Sequence, residues 1–287
     1  MLTIAINTPS LNHERYVGAF VKSVYSQEHQ GVFLSVVDDA SSDGNFGELR
    51  RLQTLHGFTL QRNEVRRGIP ATLNRAYAAN KVTDLVFSIA SDDLLAPGFT
   101  RQVGEYFLAH PTVDAITGSV VFIDSEGRTT GRFQARAEGR IDLVKWAQGK
   151  HTVMANWMVV RRHVMDSEKP YDEAHKLEDL PFFIRMVSRY DVRAVDFDLL
   201  HYRKHDQSYS SRKLFEVYLA EGKIMQQYLA EPFYVHYERA RRINSFLSFS
   251  GTCKPEAWRL LHFLLPDLWR LRVMKGIVRL LFYYPKK

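Results

Sequence analysis

An α/β fold with a mainly parallel, Rossmann-like sheet and a helical C-terminal extension is what this sequence predicts, on three observations. Apolar runs of strand length alternate with helix-period segments from Leu2 to Leu200. Polar, turn-forming loops stand at the carboxyl ends of the strands, where open α/β sheets bind ligands. From Leu214 onward the pattern is helical to the end. The expected division is an α/β domain over 1–210 and a helical extension over 211–287.

Taken in order, Leu2 to Ile6 reads as the first strand. Asn12 is placed to cap a helix in which Tyr16, Phe20 and Val24, with Val17 and Val21 beside them, recur at helical spacing to about Gln27. The β-branched run Val32 to Val37 is the second strand and enters the polar loop Asp38-Asp39-Ala40-Ser41-Ser42-Asp43-Gly44. A helix over Phe46 to Leu55, a strand over Phe58 to Gln61 and a helix over Pro70 to Asn80 follow. The apolar strand Asp84 to Ala90 ends in Ser91-Asp92-Asp93. Beyond it come a helix around Phe99 to Leu108, a strand near Val113 to Ile123 and a glycine- and arginine-containing connection to about Arg140. Strands at Trp157 to Val160 and Val192 to Leu200 bracket a helix opened by Glu178-Asp179.

At 45% hydrophobic and 13% aromatic, 287 residues carry enough apolar material for a sizeable core. The single cysteine, Cys253, excludes an intrachain disulfide and fits a reducing cytoplasm. Met1 to Asn7 lacks the basic start of a signal peptide, and no run of about 18 uncharged apolar residues suggests a membrane span. The net charge of +7 is concentrated: from Lys254 onward eight Lys or Arg stand against Glu256 and Asp267, leaving the preceding 253 residues at +1. A basic tail on a neutral body points away from nucleic acid and towards an anionic surface met by one end of the molecule.

The chemistry-bearing residues are carboxylates. Asp38-Asp39 and Asp92-Asp93 close two different apolar strands, and adjacent carboxylates repel unless a cation or donors compensate them. A hard divalent ion shared with diphosphate oxygens is one solution, and a solvated strand-end turn is the other. Glu178-Asp179 at a helix start is likewise compatible with simple dipole complementarity.

The ordered set Pro9-Ser10-Leu11-Asn12, Tyr16, Ser23-Val24, Gln27, Val36 to Gly44, Ser91-Asp92-Asp93 with Pro97, Glu178-Asp179 and Tyr202 to Ser210 resembles the inverting family 2 glycosyltransferases over roughly residues 2 to 210. The resemblance implies a GT-A-type catalytic domain and transfer of a sugar from a nucleotide diphosphate, most readily UDP, to a hydroxyl of a glycan or lipid-linked glycan. It implies that Pro9, Asn12 and Asp39 line the nucleotide site, that Asp92 faces ribose or sugar, and that Asp93 binds Mn²⁺ or Mg²⁺. Asp179 would be the general base and Glu178 would position the acceptor. His205 would complete the metal shell or meet the diphosphate, Arg203 would neutralise phosphate, and Arg67, in Arg66-Arg67-Gly68, would face phosphate. Asn63 and Asn74 fit the pattern loosely, and His175 and His201 have no role in it. Leu11, where the family often has an aromatic residue, and Ala90, where many members have a further Asp, are departures that leave the donor's identity open.

Residues 268 to 281, placed on a helical wheel at about 100 degrees per residue, gather Trp269, Leu271, Val273, Met274, Ile277, Val278, Leu280 and Leu281 on one broad side. Arg272, Lys275 and Arg279 lie opposite, and Arg270 falls within the apolar arc. With Trp258, Tyr283 and Tyr284 at the headgroup boundary, this suits a helix lying on an anionic membrane through residues 254–287. A helix packed on the catalytic domain or on a second subunit needs the same pattern. The expected location is the cytoplasm, with the inner face of the cell membrane following if the tail binds lipid. A nucleotidyltransferase or a dehydrogenase is disfavoured because Asn7-Thr8-Pro9-Ser10-Leu11-Asn12 carries no glycine-rich phosphate loop. A catalytically silent nucleotide-sugar or membrane-binding scaffold is the alternative of a different class.

Overall fold

The computed structural model describes residues 2–28, 31–168, 170–205 and 213–282. The chain forms two compact units, Met1–Asp142 with His151–His205, and Leu143–Lys150 with Asp206–Lys287.

In the first unit, β1 (Ile4–Ser10) is buried on both faces, as a central strand of a parallel sheet must be. The helix α1 (Glu14–Tyr25) buries Val17, Phe20, Val21 and Val24, its apolar stripe at helical spacing. β2 (Val32–Asp38) leads to α2 (Asn45–His56), which ends at Gly57 with φ +72°, a left-handed stop that a residue without Cβ adopts freely. β3 (Thr59–Arg62), α3 (Ile69–Ala79) and β4 (Leu85–Ser88) complete a parallel half-sheet in the order β3-β2-β1-β4. The chain winds outward from β1 to β3 and then returns to the other side of β1. Strand order reverses there, and the carboxyl ends of the strands at such a reversal are where open α/β sheets bind ligands.

The second half of the sheet is mixed. It contains β5 (Leu94–Leu95), β6 (Ala115–Ile123), β7 (Thr129–Phe133), β8 (Met158–Arg161) and β9 (Val192–Arg203), with α4 (Phe99–Ala109), α6 (Arg162–Ser167) and α7 (Asp179–Arg189) between them. β8 runs antiparallel to β4 and β6, β9 parallel to β6, and β5 antiparallel to β9. The hairpin strand β7 pairs with β6. Sequence pattern shows only a connection there, because β7 is largely exposed and has no apolar alternation. β9 continues to Arg203, past the Leu200 limit of its apolar run, so Tyr202 and Arg203 are strand residues and not loop residues. Ile6, Phe20, Leu49, Phe87, Phe99 and Leu199 are among the side chains that fill the core.

The second unit comprises α5 (Leu143–Ala147), α8 (Leu214–Met225), α9 (Tyr234–Thr252), α10 (Lys254–Leu261) and α11 (Leu271–Phe282), with 3₁₀ turns at Gln226–Tyr228 and His262–Asp267. Phe246, Phe249, Leu260, Leu264, Val273 and Leu280 form its core. Gly276 lets α11 approach closely, since a Cβ there would stand 2.4 Å from the Phe246 ring. The Leu143–Lys150 excursion joins this unit by stacking Trp146 on Tyr237, ring centroids 5.2 Å apart, and by Gln148 meeting His236 at 3.1 Å. The single apolar side expected for α11 divides in two. Val273, Gly276 and Leu280 are buried, whereas Leu271, Met274, Val278 and Leu281 are exposed. Among the described residues no helix is long and apolar enough to cross a membrane.

Two alanine substitutions should act in opposite directions. A Cβ at Gly118 in β6 would meet Leu199 at 2.7 Å and the Phe197 carbonyl at 2.9 Å, so Gly118→Ala should cost about 1–3 kcal/mol in denaturant unfolding. Gly104 in α4 has nothing within 4 Å of that position, so Gly104→Ala should gain about 0.4–1 kcal/mol.

Candidate active site

The loop after β2 is built around its two aspartates, which do different things. Asp38 is fully buried: its carboxylate accepts from Asn45 Nδ2 at 2.7 Å and the Ser41 amide at 3.1 Å, with Arg62 Nε 3.2 Å away. It holds the loop's own shape. Asp39, 4% exposed, reaches sideways to the β3–α3 loop. Its Oδ1 accepts from Asn63 Nδ2 at 2.7 Å and the Arg67 amide at 2.8 Å, and its Oδ2 from the Gly68 amide at 2.9 Å. One oxygen, Oδ2, thus keeps a second lone-pair direction beyond these donors. Gly68, at φ +87°, turns the chain into α3 and presents its amide to Asp39.

Asn12 does not cap α1, whose N-cap residue is His13 with no side-chain capping bond. Asn12 instead adopts φ +57°, and its Oδ1 accepts the Ser42 amide at 2.8 Å while its own amide donates to Ser41 Oγ at 2.9 Å. Its short polar side chain tolerates the left-handed region and ties the β1 loop to the β2 loop. Pro9 sits partly buried at the carboxyl end of β1, opposite Val37.

The loop after β4 carries Asp92 and Asp93 on different sides. Asp93 is 2% exposed, and its Oδ1 accepts the Arg203 amide at 2.8 Å. Burial, and then the charge of Asp92, hold its carboxyl well above the usual range. Asp92 Oδ2 lies 3.0 Å from His205 Nε2 and 3.5 Å from His13 Nε2. Burial pushes Asp92 up, but the two histidines prevail and hold it below its ordinary value. His13, lowered by burial against the pull of Asp92, also meets Ser91 Oγ at 2.9 Å. Ser91 donates to Ser10 Oγ at 2.7 Å, and Asn45 links Ser10 to Asp38. A continuous polar chain therefore joins the two acidic loops.

Arg203 is drawn into the protein. It is 4% exposed and donates to the carbonyls of Asp92 at 2.8 Å, Asp124 at 3.0 Å and Ser125 at 3.3 Å, with its head 4.8 Å from the Tyr16 ring centroid. Its Nε and Nη1 bonds make it a brace.

Glu178 and Asp179 open α7, partly buried. Asp179 accepts from Asn156 Nδ2 and from the Leu180 amide. Asn156 precedes Trp157, which stands at φ +53° and packs on Tyr202 with centroids 5.0 Å apart. By its antiparallel register β8 begins beside the carboxyl end of β4, so Asn156 brings Asp179 to the same edge of the sheet. Tyr171 strengthens that placement by donating to Ser88 Oγ at 2.9 Å. Burial, and then the neighbouring Asp179, push Glu178 up to about 8, and burial also raises Asp179. A simple helix-start role predicts the opposite shift.

Asp39, Arg67, Asp92, Asp93, His205, Pro9 and Asn12 thus gather at the carboxyl ends of β1, β2, β4 and β9, with Asp179 and Glu178 on α7 beside the end of β4. The Arg67 side chain is exposed. His175 pairs with Asp172 at 3.8 Å on the loop before α7. Asp206 to Ser210, the end of the last motif, lies outside the described residues. Sequence reading passed over His13 and Asn156. His13 had no signal beyond its place in the β1 loop, and Asn156 acts through a strained turn that no local pattern announces. Among the described residues no group of three or more His, Cys, Asp or Glu side chains is arranged to hold an ion. A site of one carboxylate and one imidazole, completed by phosphate oxygens and water, still fits a magnesium-like ion, which is seldom caged by protein alone.

Residues 6–167 match the sequence model of the family described as glycosyl transferase family 2. No curated protein matches the chain. Among solved structures it is similar to S. aureus TarS in complex with UDP-GlcNAc, with a TM-score of 0.65 at 14% identity over 97% of this chain and 89% of that one. It is also similar to the mannosyltransferase PcManGT from Pyrobaculum calidifontis in complex with GDP-Man and Mn²⁺, with a TM-score of 0.62 at 14% identity over 98% and 87%. At that identity the likeness is one of fold.

The raised Glu178 has a consequence for stability. Its native value of about 8 exceeds the ordinary 4.5, so the folded state holds more protons than the unfolded chain between those values and stability falls as pH rises through them. Glu178→Gln removes this loss, and its melting temperature should exceed the parent's at pH 8 while the two converge at pH 4.

Proposed function

Because the chain belongs to glycosyl transferase family 2, whose model matches more than half of it, we propose that it transfers a sugar from a nucleotide diphosphate sugar to an acceptor hydroxyl with inversion at the anomeric carbon. The observation that carries this reading is the meeting of three elements at the strand-order reversal: the Asp39-pinned loop, the Asp92–His205 pair and the raised carboxyl pair Glu178-Asp179.

The nucleotide lies over the ends of β1 and β2. The free lone pair of Asp39 accepts an imide N–H, which uracil and thymine present, and a UDP-sugar, the kind of donor with which TarS is in complex, is favoured of the two. Pro9 and Asn12 shape the floor. Asp39 also fixes the Arg67 amide, which places the exposed Arg67 guanidinium on the loop that borders the diphosphate.

The metal role, which the resemblance gives to Asp93, passes in this reading to Asp92. Asp92, held ionised beside two imidazoles, and His205 are the residues that would hold Mn²⁺ or Mg²⁺, while Asp93 anchors the loop through the Arg203 amide. When bound, the ion stabilises negative charge on the leaving nucleotide diphosphate. His13 approaches the same Asp92 oxygen as His205 and helps to orient it.

Asp179 takes the proton of the acceptor hydroxyl as that oxygen bonds to the anomeric carbon and the bond to the diphosphate breaks. Asn156 and the Leu180 amide fix its carboxylate. Its raised affinity for protons makes it a better base than an exposed Asp, and Glu178, still protonated near neutrality, donates a hydrogen bond to the acceptor. The acceptor is a glycan or lipid-linked glycan hydroxyl.

A thermal-shift series with UDP, GDP, CDP and dTDP, with and without Mn²⁺, tests the donor half. One nucleotide, expected to be UDP, should raise the melting temperature, and the metal-dependent part of that shift should vanish in Asp92→Ala and His205→Ala. Stabilisation by none of the four would overturn the donor assignment. For the base, Asp179→Asn should lower kcat about 10²–10⁴-fold with the nucleotide shift retained. The parent's activity should rise with pH through a limb above the ordinary carboxylate range, because the base works only after losing its proton. Turnover undiminished in Asp179→Asn would remove it as base.

A further inference from the structure

The helix α11 has an apolar face that no described residue of its own unit covers. At about 100 degrees per residue, Leu271, Met274, Val278, Leu281 and Phe282 fall within an arc of roughly 100 degrees, and all five are exposed, Leu271 by 81% and Phe282 by 77%. Val273, Gly276 and Leu280, which pack into the unit's core, lie on the other side of the helix. Single exposed apolar residues are ordinary on a protein surface, but an aligned row of five large ones is not. A second row, Arg272, Lys275 and Arg279, runs along one flank of this stripe, about a quarter-turn round the helix, and is exposed.

The helix contains no acid. Asp267, the acid before it, is committed to Arg239 and Arg270. Arg272 meets the neutral Asn244 side chain, at 2.9 Å. The same stretch of sequence, from Lys254, carries a net charge of +6. A second copy docking here by two-fold symmetry would bring identical patches together and supply no acid from either helix.

We propose that this face of α11 is a docking surface for an anionic lipid bilayer, with the helix lying in the interface plane. Leu271, Met274, Val278, Leu281 and Phe282 enter the boundary of the acyl chains, and Arg272, Lys275 and Arg279 extend to lipid phosphates at headgroup level. Trp269, just before the helix, is exposed as well. This reading does not depend on the glycosyl transfer proposed above.

The experiment is co-sedimentation of the full chain with vesicles of phosphatidylcholine alone or mixed with phosphatidylglycerol. The protein should pellet with the mixed vesicles only, and less so in about 0.5 M salt, where exposed charges are screened. Lys275→Glu with Arg279→Glu should lower the partition coefficient at least about 25-fold, since each basic residue near an anionic surface contributes about fivefold. Val278→Glu, which leaves the basic row intact, should also release the protein. All three positions are exposed, and circular dichroism melting at the parent's temperature confirms that the variants fold. Failure of the parent to bind, equal binding to both vesicle types, or variants that bind like the parent would overturn the proposal. A parent dimer in light scattering that Val278→Glu dissociates would do so too, by giving the face to a second copy.

Discussion

The first unit's site depends on the placement of one buried cation. Arg203 carries a charge that the interior tolerates only when it is hydrogen-bonded, and its Nε and Nη1 donate to the carbonyls of Asp92, Asp124 and Ser125. Its own amide holds Asp93, and its guanidinium lies against Tyr16 of α1. The end of β9, the β4–β5 loop, the β6–β7 turn and the first turn of α1 are therefore fixed by a single residue. Asp92 can face outward because its backbone is held from behind. Such a brace has to be an arginine: lysine offers one point of attachment where these carbonyls diverge.

Around that brace the site separates its acids by environment. Asp38 and Asp93 are turned into loop architecture, Asp39 fixes a neighbouring loop, Asp92 is kept ionised by imidazoles, and Glu178 with Asp179 is kept reluctant to ionise. Six carboxyl groups within a few strand ends would otherwise repel one another. The backbone bears part of the cost. Asn12, Ala40 and Trp157, the non-glycine residues with left-handed φ among the described residues, lie on the β1, β2 and pre-β8 loops that carry these groups.

The parallel half of the sheet was legible in the sequence because buried strands and amphipathic helices differ in period, and Val17, Phe20, Val21 and Val24 mark their helix without tertiary information. The acidic loops were legible as places, since turn residues that follow an apolar strand mark the edge at which such a sheet opens to ligands. Their internal division of labour was not. Whether Asp92 or Asp93 faces out depends on where the Arg203 amide falls, 110 residues along the chain. The burial of Arg203 is likewise hidden, because charge is visible in a sequence and burial is not. Asn12 read as a helix cap, and the Ser42 amide offered it a better partner. The helical wheel of α11 showed how apolar the helix is, but only packing against Phe246 shows which part of that surface is already used.

The Leu143–Lys150 excursion bears on how the helical unit can be inherited. Its Trp146 stacks on Tyr237 and its Gln148 meets His236, yet the chain leaves and re-enters the α/β unit on either side, where the Asp142 amide donates to His151 Nδ1 at 3.2 Å. The helical unit is consequently no detachable appendage. A stop codon after the last strand would strand an indole and an amide without their partners, and a graft of a foreign C-terminus would need a matching eight-residue insert far upstream. Recombination at one crossover therefore cannot exchange this unit, and the two stretches must diversify together.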